Sequence, residues 1–304
     1  METRKDGLAG ATPDIQANVI EHLWNLKKQG YRDSTIKLRS RLLAILVKRG
    51  ANLREPESVK ETIAKLETTD GYKLQLVLAY NSFLPTINLT WEPPRYRQAQ
   101  KIPFIPLESE IDALIVAMGT KGTILLQILK ETGMRKGEAY GLNWKDVDTE
   151  RRTITVNNPE KHSNARTLRI SRRLVEMLKQ LEVKSDKIFS RGAICYIERS
   201  FYEKRKQLAT KMQNPRFLRV TLHTFRHWKA TMEYHKTKDI LHVKQLLGHR
   251  NINNTLVYTQ LVSFESEEYH VRTAKTLKEA CELAEAGFEY FTALENAQVF
   301  RKRK

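Results

Sequence analysis

Apolar side chains recur at helical spacing between residues 12 and 83 and break at polar, glycine-bearing stretches, which predicts four short helices. In the first, Ile15, Val19, Leu23 and Leu26 form one stripe, with Thr12 and Pro13 as cap and first-turn residue and Gly30 as the left-handed stop. The second is capped by Asp33 or Ser34, turns Ile36, Leu43, Leu46 and Val47 inward and ends before Gly50. The third follows Pro56, and the fourth runs from about Gly71 to Phe83. Pro85, Pro93, Pro94, Pro103 and Pro106 then remove amide donors repeatedly and mark a linker. Beyond it, Ile111, Leu114, Ile115 and Met118 give an amphipathic helix, and GTILLQILKETG is apolar nearly all round, a buried central helix ended by Gly133. Residues 153 to 171 alternate apolar and polar on both sides of an Asn/Pro/Ser-rich centre, which reads as two strands and an extended turn. Helical patterns resume from Arg172 to about Leu261, and the tail pairs a helix around 278 to 286 with short strands near 288 to 291 and 299 to 300. The expectation is a mainly α fold with a small antiparallel β element, α+β in class. Its parts are a helical domain over 1–87, a linker over 88–106, a larger domain over 107–262 and a helix/strand tail over 263–304.

Composition narrows the function. The length of 304 residues exceeds what one core usually organises. No apolar run approaches the roughly 18 residues a membrane span needs. Two cysteines, Cys195 and Cys281, make no disulfide framework, and METRKDGLAG has no signal-peptide stretch, so a reducing cytoplasm is expected. Lysine and arginine number 53 against 35 acidic residues, a net charge of +18. Residues 101 to 262 alone carry 30 basic against 16 acidic side chains, which points to a polyanionic partner. A solvated basic surface suited to a salt-rich or hot cell is the alternative on charge alone. Arg32, Lys37, Arg39, Arg41, Lys48 and Arg49 crowd the second helix and suit phosphate contacts.

Groups able to handle a phosphate occur in order: Arg135 in TGMRKGE, Lys161 in the strand–turn–strand, His223 and Arg226 in HTFRH, His249 in LLGHR and Tyr258 in TLVYTQL. Their intervals are 26, 62, 3, 23 and 9 residues. Each alone has a plainer reading: Arg135 as a helix-end charge, Tyr258 as a core tyrosine, Lys161 as a phosphate contact. His223 and His227, four apart, could suggest zinc, but no nearby cysteine completes a site. Segment 238 to 261 mimics a helix-turn-helix with Gly248 at the turn.

In this joint order and spacing the motifs TGMRKGE, HxxRH, LLGH and the following tyrosine resemble the signature of the tyrosine recombinases, the integrase family that includes Xer-type proteins. The ending EAGFEYF to FRKRK resembles archaeal members. The resemblance implies a SAM-like four-helix core-binding domain and a catalytic domain that close as a C-shaped clamp on double-stranded DNA. It further implies cleavage by Tyr258 to a 3'-phosphotyrosine and a free 5'-hydroxyl, without metal, ATP or other cofactor. Two arginines, Arg135 and Arg226, suit the non-bridging oxygens because a guanidinium stays charged and presents a planar fork. Lys161 is the general-acid candidate, His223 assists proton transfer from Tyr258, His249 donates to a non-bridging oxygen, and Glu138, one turn after Arg135, orients it. As in relatives, a homotetramer would act on two synapsed sites through a Holliday junction, with a monomer or dimer when free. Residues 263–304 are a candidate protomer contact, and Arg301 to Lys304 either touch DNA or fray. Two rivals remain at this stage: a type IB topoisomerase-like relaxing activity and a non-catalytic architectural DNA-binding protein.

Overall fold

The computed structural model of the chain describes residues 12–97, 102–161, 163–183, 185–259, 269–294 and 297–303. Two compact units divide it, Met1–Lys101 and Ile102–Lys304.

The first unit holds α1 (Pro13–Lys28), α2 (Asp33–Lys48), α3 (Pro56–Lys65) and α4 (Asp70–Phe83). Thr12 and Thr69 cap α1 and α4, each hydroxyl accepting from an amide three residues on. Leu42, Leu43 and Leu46 of α2 meet Val59 and Ile63 of α3 and Leu76, Tyr80 and Phe83 of α4 in one core. The Tyr80 hydroxyl is satisfied inside it by donating to the Leu53 carbonyl at 2.9 Å. Part of the stretch predicted as linker belongs to this core. Leu89, Trp91 and Tyr96 pack against it, Trp91 edge-on to Tyr80 at 4.7 Å, because apolar side chains stand between the prolines and regain burial even where helix is forbidden.

The second unit begins with α5 (Glu108–Ala117), α6 (Thr120–Thr132) and α7 (Lys136–Tyr140). An antiparallel sheet in the order β1 (Val147–Asp148), β2 (Thr153–Val156), β3 (Arg166–Arg169) follows. Then come α8 (Arg172–Lys179), α9 (Arg191–Lys211), α10 (Leu222–Thr237), α11 (Ile240–Leu247) and α12 (Asn253–Leu256). The all-round apolar α6 is the axis: Ile124, Leu125, Leu126, Ile128 and Leu129 are buried, and α5, α8, α9 and α10 pack around it. Ile154 pairs with Leu168 across the sheet, and both press the same face onto that core.

Beyond residue 268, β4 (Tyr269–Ala274), α13 (Leu277–Glu285), β5 (Glu289–Leu294) and β6 (Ala297–Arg303) form a separate antiparallel sheet ordered β4-β6-β5 with the helix against it. This corrects the expected tail, in which β4 is missing and the other strands are shorter. β6 is the central strand, paired on both edges, so Arg301 to Arg303 are held in strand by hydrogen bonds that their own hydropathy does not signal. The whole is mainly helical with small antiparallel sheets, as the patterning implied. No helix among the described residues is long and apolar enough to cross a membrane.

Candidate active site

Arg226, one turn into α10, is 2 % exposed, and a buried charge needs its donors filled. Its fork does this at two helix ends: one terminal nitrogen donates to the Gly133 carbonyl at 2.8 Å, the other to the Leu247 carbonyl at 2.8 Å. These carbonyls close α6 and α11, where helix geometry leaves oxygens without partners and the dipoles are negative. Both helices stop at glycines in the left-handed region, Gly133 (φ 61°) and Gly248 (φ 69°). Gly248 is also sterically required, since a Cβ there would stand 2.9 Å from the Asn164 carbonyl oxygen and 3.1 Å from the Arg166 guanidinium.

Arg135 follows directly from the α6 stop and caps α7. Glu138, its side chain fully buried, accepts from the Arg135 amide at 2.9 Å and from the Arg135 guanidinium at 3.2 Å, the orienting contact expected of it. A second arginine, unanticipated from sequence, shares the carboxylate: Arg166 of β3 donates at 2.7 Å and 3.4 Å to its two oxygens and at 2.9 Å to the Leu246 carbonyl. Arg166 and Arg135 hold the Glu138 carboxyl below the usual range even though burial alone would raise it. Arg135 also reaches the β2–β3 turn, donating to Ser163 Oγ at 2.5 Å and the Glu160 carbonyl at 3.3 Å, while the Asn164 amide donates to the Gly248 carbonyl at 3.0 Å. The turn is therefore fastened at both shoulders. Lys161 stands exposed at its tip, in the left-handed region at φ 53°.

His249 lies on the Arg226 fork, its Nε2 2.9 Å from a guanidinium nitrogen and its Nδ1 2.9 Å from the hydroxyl of the buried Thr255. An arginine only donates, so Nε2 accepts and Nδ1 donates to Thr255. Toward Arg226, His249 is thus a neutral acceptor here. Burial, then Arg226, Arg135 and Arg166, lower its pKa to about 3. His223, exposed on α10, is lowered to about 4 by desolvation and then by the charges of Arg226, Lys161 and Arg135, which marks the Lys161 turn as a near neighbour.

Tyr258 is 3 % exposed and packs with Ala230, Val243 and Leu247. Its hydroxyl lies 3.0 Å from Nδ1 of His227, not beside His223; the two histidine rings touch edge to face at 4.7 Å. Burial raises the Tyr258 pKa, and Arg226 and Arg135 pull it the other way, so the phenol lies within reach of both cations. Sequence reasoning missed Arg166, Ser163, Thr255 and the partnership of His227 with Tyr258. The available signal for His227 was its place directly after Arg226 in HTFRH.

On the first unit, Lys37, Arg41 and Lys48 share one side of α2 at helical spacing, with Arg32 and Arg49 at its two ends, and all five are exposed. Arg39 departs from the expected set. It lies on the opposite side with Ile36, Leu43 and Leu46, close enough to His22 to depress that ring's pKa, and one of its terminal nitrogens is buried.

Electrostatically, three arginines converge with one carboxylate, and both desolvation and Arg135 push Arg226 downward from its ordinary value. Such a site is short of negative charge and is relieved by an anion with several oxygens.

Comparison with known proteins agrees. The profile of the Phage integrase family matches residues 107–264, more than half of the chain. The chain is 24 % identical over 262 residues to the tyrosine recombinase XerA of Saccharolobus solfataricus, covering 84 % of each protein. It is 25 % identical over 287 residues to the XerA of Pyrococcus horikoshii, covering 89 % of this chain and 94 % of the relative. In fold it resembles a lambda integrase dimer bound to a core site (TM-score 0.60, 13 % identity, 83 % of this chain and 79 % of the other). It also resembles the Tn1549 transposon integrase in complex with transposon right end DNA (TM-score 0.59, 16 % identity, 89 % and 99 %). The fold and the family signature define a tyrosine recombinase, an enzyme of site-specific DNA recombination. The chain belongs to the phage integrase family.

Proposed function

We propose that this recombinase acts in the cytoplasm, cleaving and rejoining duplex DNA at a specific site through a 3'-phosphotyrosine on Tyr258, with no metal or nucleotide in the step. The observation that carries the proposal is the buried arginine fork of Arg226, set beside Arg135 and within electrostatic reach of the Tyr258 phenol. Tyr258 Oη bonds to phosphorus as the bond to the 5'-oxygen breaks, and Lys161 at the turn tip gives that oxygen its proton. Arg135 and Arg226 neutralise the non-bridging oxygens as charge builds on the pentacoordinate phosphorus. The phosphodiester bond is replaced by another of similar energy, so a 5'-hydroxyl from a second duplex can reverse the step. Strand pairs exchange in turn through a Holliday junction held by four protomers, with the exposed basic side of α2 contacting backbone phosphates.

Covalent trapping tests this. A pool of random-sequence duplexes is incubated with the protein in EDTA, quenched with SDS, and the attached DNA is sequenced. Adducts that converge on one short site and vanish in Tyr258→Phe support the proposal. Scattered adducts favour a relaxing, topoisomerase-like activity, and tight binding with no adduct overturns the catalytic assignment.

A further inference from the structure

The proton of the nucleophile has to go somewhere, and the group placed to receive it is not the histidine the motif singles out. His223 makes an edge contact with His227 and faces Lys161, Arg226 and Arg135. His227 presents Nδ1 at 3.0 Å to the Tyr258 hydroxyl, and the two rings are 5.8 Å apart. The arrangement is held from both sides. His227 is fixed on α10 directly after the buried Arg226, and Tyr258 is wedged among Ala230, Val243 and Leu247.

We propose that His227 is a catalytic residue of strand cleavage, the base that accepts the Tyr258 proton as the phosphotyrosine forms. This rests on Tyr258 being the nucleophile. The Tyr258 O–H bond breaks with its proton passing to His227 Nδ1, and the phenolic oxygen bonds to phosphorus. The bond to the 5'-oxygen breaks, and Lys161 supplies the proton that oxygen needs. Cleavage leaves His227 charged and Lys161 neutral, and rejoining returns both protons. Among the described residues, the charged and titratable groups facing His227 are His223 and Arg226 on its own helix and Tyr258 across from it. Desolvation, then His223 and Arg226, lower the His227 pKa to about 4, so the ring is neutral and free to accept at pH 7. Burial and the Arg226 charge oppose a long-lived imidazolium, which favours returning the proton in the rejoining step.

The test uses the full-length protein and the duplex recovered by covalent trapping, synthesised with sulfur in place of the scissile bridging 5'-oxygen. A thiolate leaves without protonation, so cleavage then reports deprotonation of Tyr258 and not the acid. His227→Gln keeps a hydrogen-bond acceptor on the phenol but takes up no proton. It is expected to cut about 100-fold more slowly at pH 7, with the deficit shrinking as pH rises toward the phenol's own range. Replacing Tyr258 by difluorotyrosine, a more acidic phenol, should restore most of the rate in His227→Gln and little in the wild type. Cleavage by His227→Gln at the wild-type rate or faster overturns the inference, leaving the contact as a latch. A loss that neither higher pH nor the acidic phenol relieves also overturns it. Adducts persisting in Tyr258→Phe would remove the nucleophile assignment beneath it, an outcome readable without the His227 variant.

Discussion

The basic side chains of α2 and those around Arg226 are the same chemical groups in opposite circumstances. On α2, Lys37, Arg41 and Lys48 project from a helix whose other side builds an apolar core, and each is surrounded by water. Such charges act additively on a polyanion through counterion release and are individually dispensable. In the second unit Arg226 is 2 % exposed, and Arg166 and Arg135 are fastened to a buried carboxylate. Their charge is kept in place by helix-end carbonyls and by Glu138, in a surrounding of low polarisability where an approaching phosphate is bound more strongly than at the surface. The difference teaches that the same charged groups are bound to one geometry where they are fastened in a buried site, and to none where they are spread over a solvated helix side.

Replacing the fork is expected to have the largest effect. Arg226→Lys keeps the charge but cannot span the Gly133 and Leu247 carbonyls and a phosphate together. Cleavage of the trapped duplex should fall about 1000-fold, with binding in a gel-shift assay changed little. Wild-type cleavage by the lysine variant would dissolve the distinction between the two sets.

Removing the countercharge comes next. Glu138→Gln leaves Arg135 and Arg166 sharing a buried site with no anion, at a cost of about 3 kcal/mol in denaturant unfolding. Added sulfate should recover part of that loss. A neutral result would mean that these arginines are solvated much like those of α2.

Acid is expected to weaken the second unit more gently, and the first as well, since burial and then Arg39 lower the buried His22 there to about 4. The folded-state values of His227 (about 4) and His249 (about 3) lie below the ordinary 6.5, so the folded protein binds fewer protons there than the unfolded chain. Their contribution to stability is full above pH 6.5 and declines as pH falls toward 4. The depressed Glu138 acts in the same direction: its contribution is present above about pH 4.5 and lost as pH falls through its lower folded value. Unfolding midpoints taken from pH 8 to 4 should therefore decline for the second unit from pH 6.5, and His249→Asn should flatten the upper part of the decline. Stability that rises on acidification would contradict the burial of these rings.

The smallest effects belong to the surface. Lys37→Ala or Arg41→Ala should change stability by less than about 0.5 kcal/mol while reducing the slope of log affinity against log salt by about one. Arg39→Ala should do the reverse, changing stability and leaving the salt slope alone. A salt slope indifferent to Lys37 and Arg41 would take α2 out of the DNA interface.

Much of this architecture is legible in the chain itself. Helical spacing with Thr12 and Gly133 at the ends places α1 and α6, because caps and periodicity are local properties read within a few residues. The order of Arg135, Lys161, His223, Arg226, His249 and Tyr258 is likewise visible, since a family signature is a matter of residue type and interval. What local patterning leaves open is which partner each group meets. Glu138 takes Arg166 from 28 residues away, Tyr258 meets His227 across 31, and the Arg226 fork reaches a carbonyl 93 residues distant. Charge alone groups Arg39 with the other basic side chains of α2, whereas its angular position places it on the side of the core leucines. β4 had no recognisable signal, because its pairing with β6 is made at long range. Helices, caps and the inventory of reactive groups follow from short-range sterics and hydrophobic period, and these the sequence determined. Hydrogen-bond choice among buried charges is decided by which helix ends and strands the packed core brings within 3 Å of one another, and only the tertiary structure could decide it.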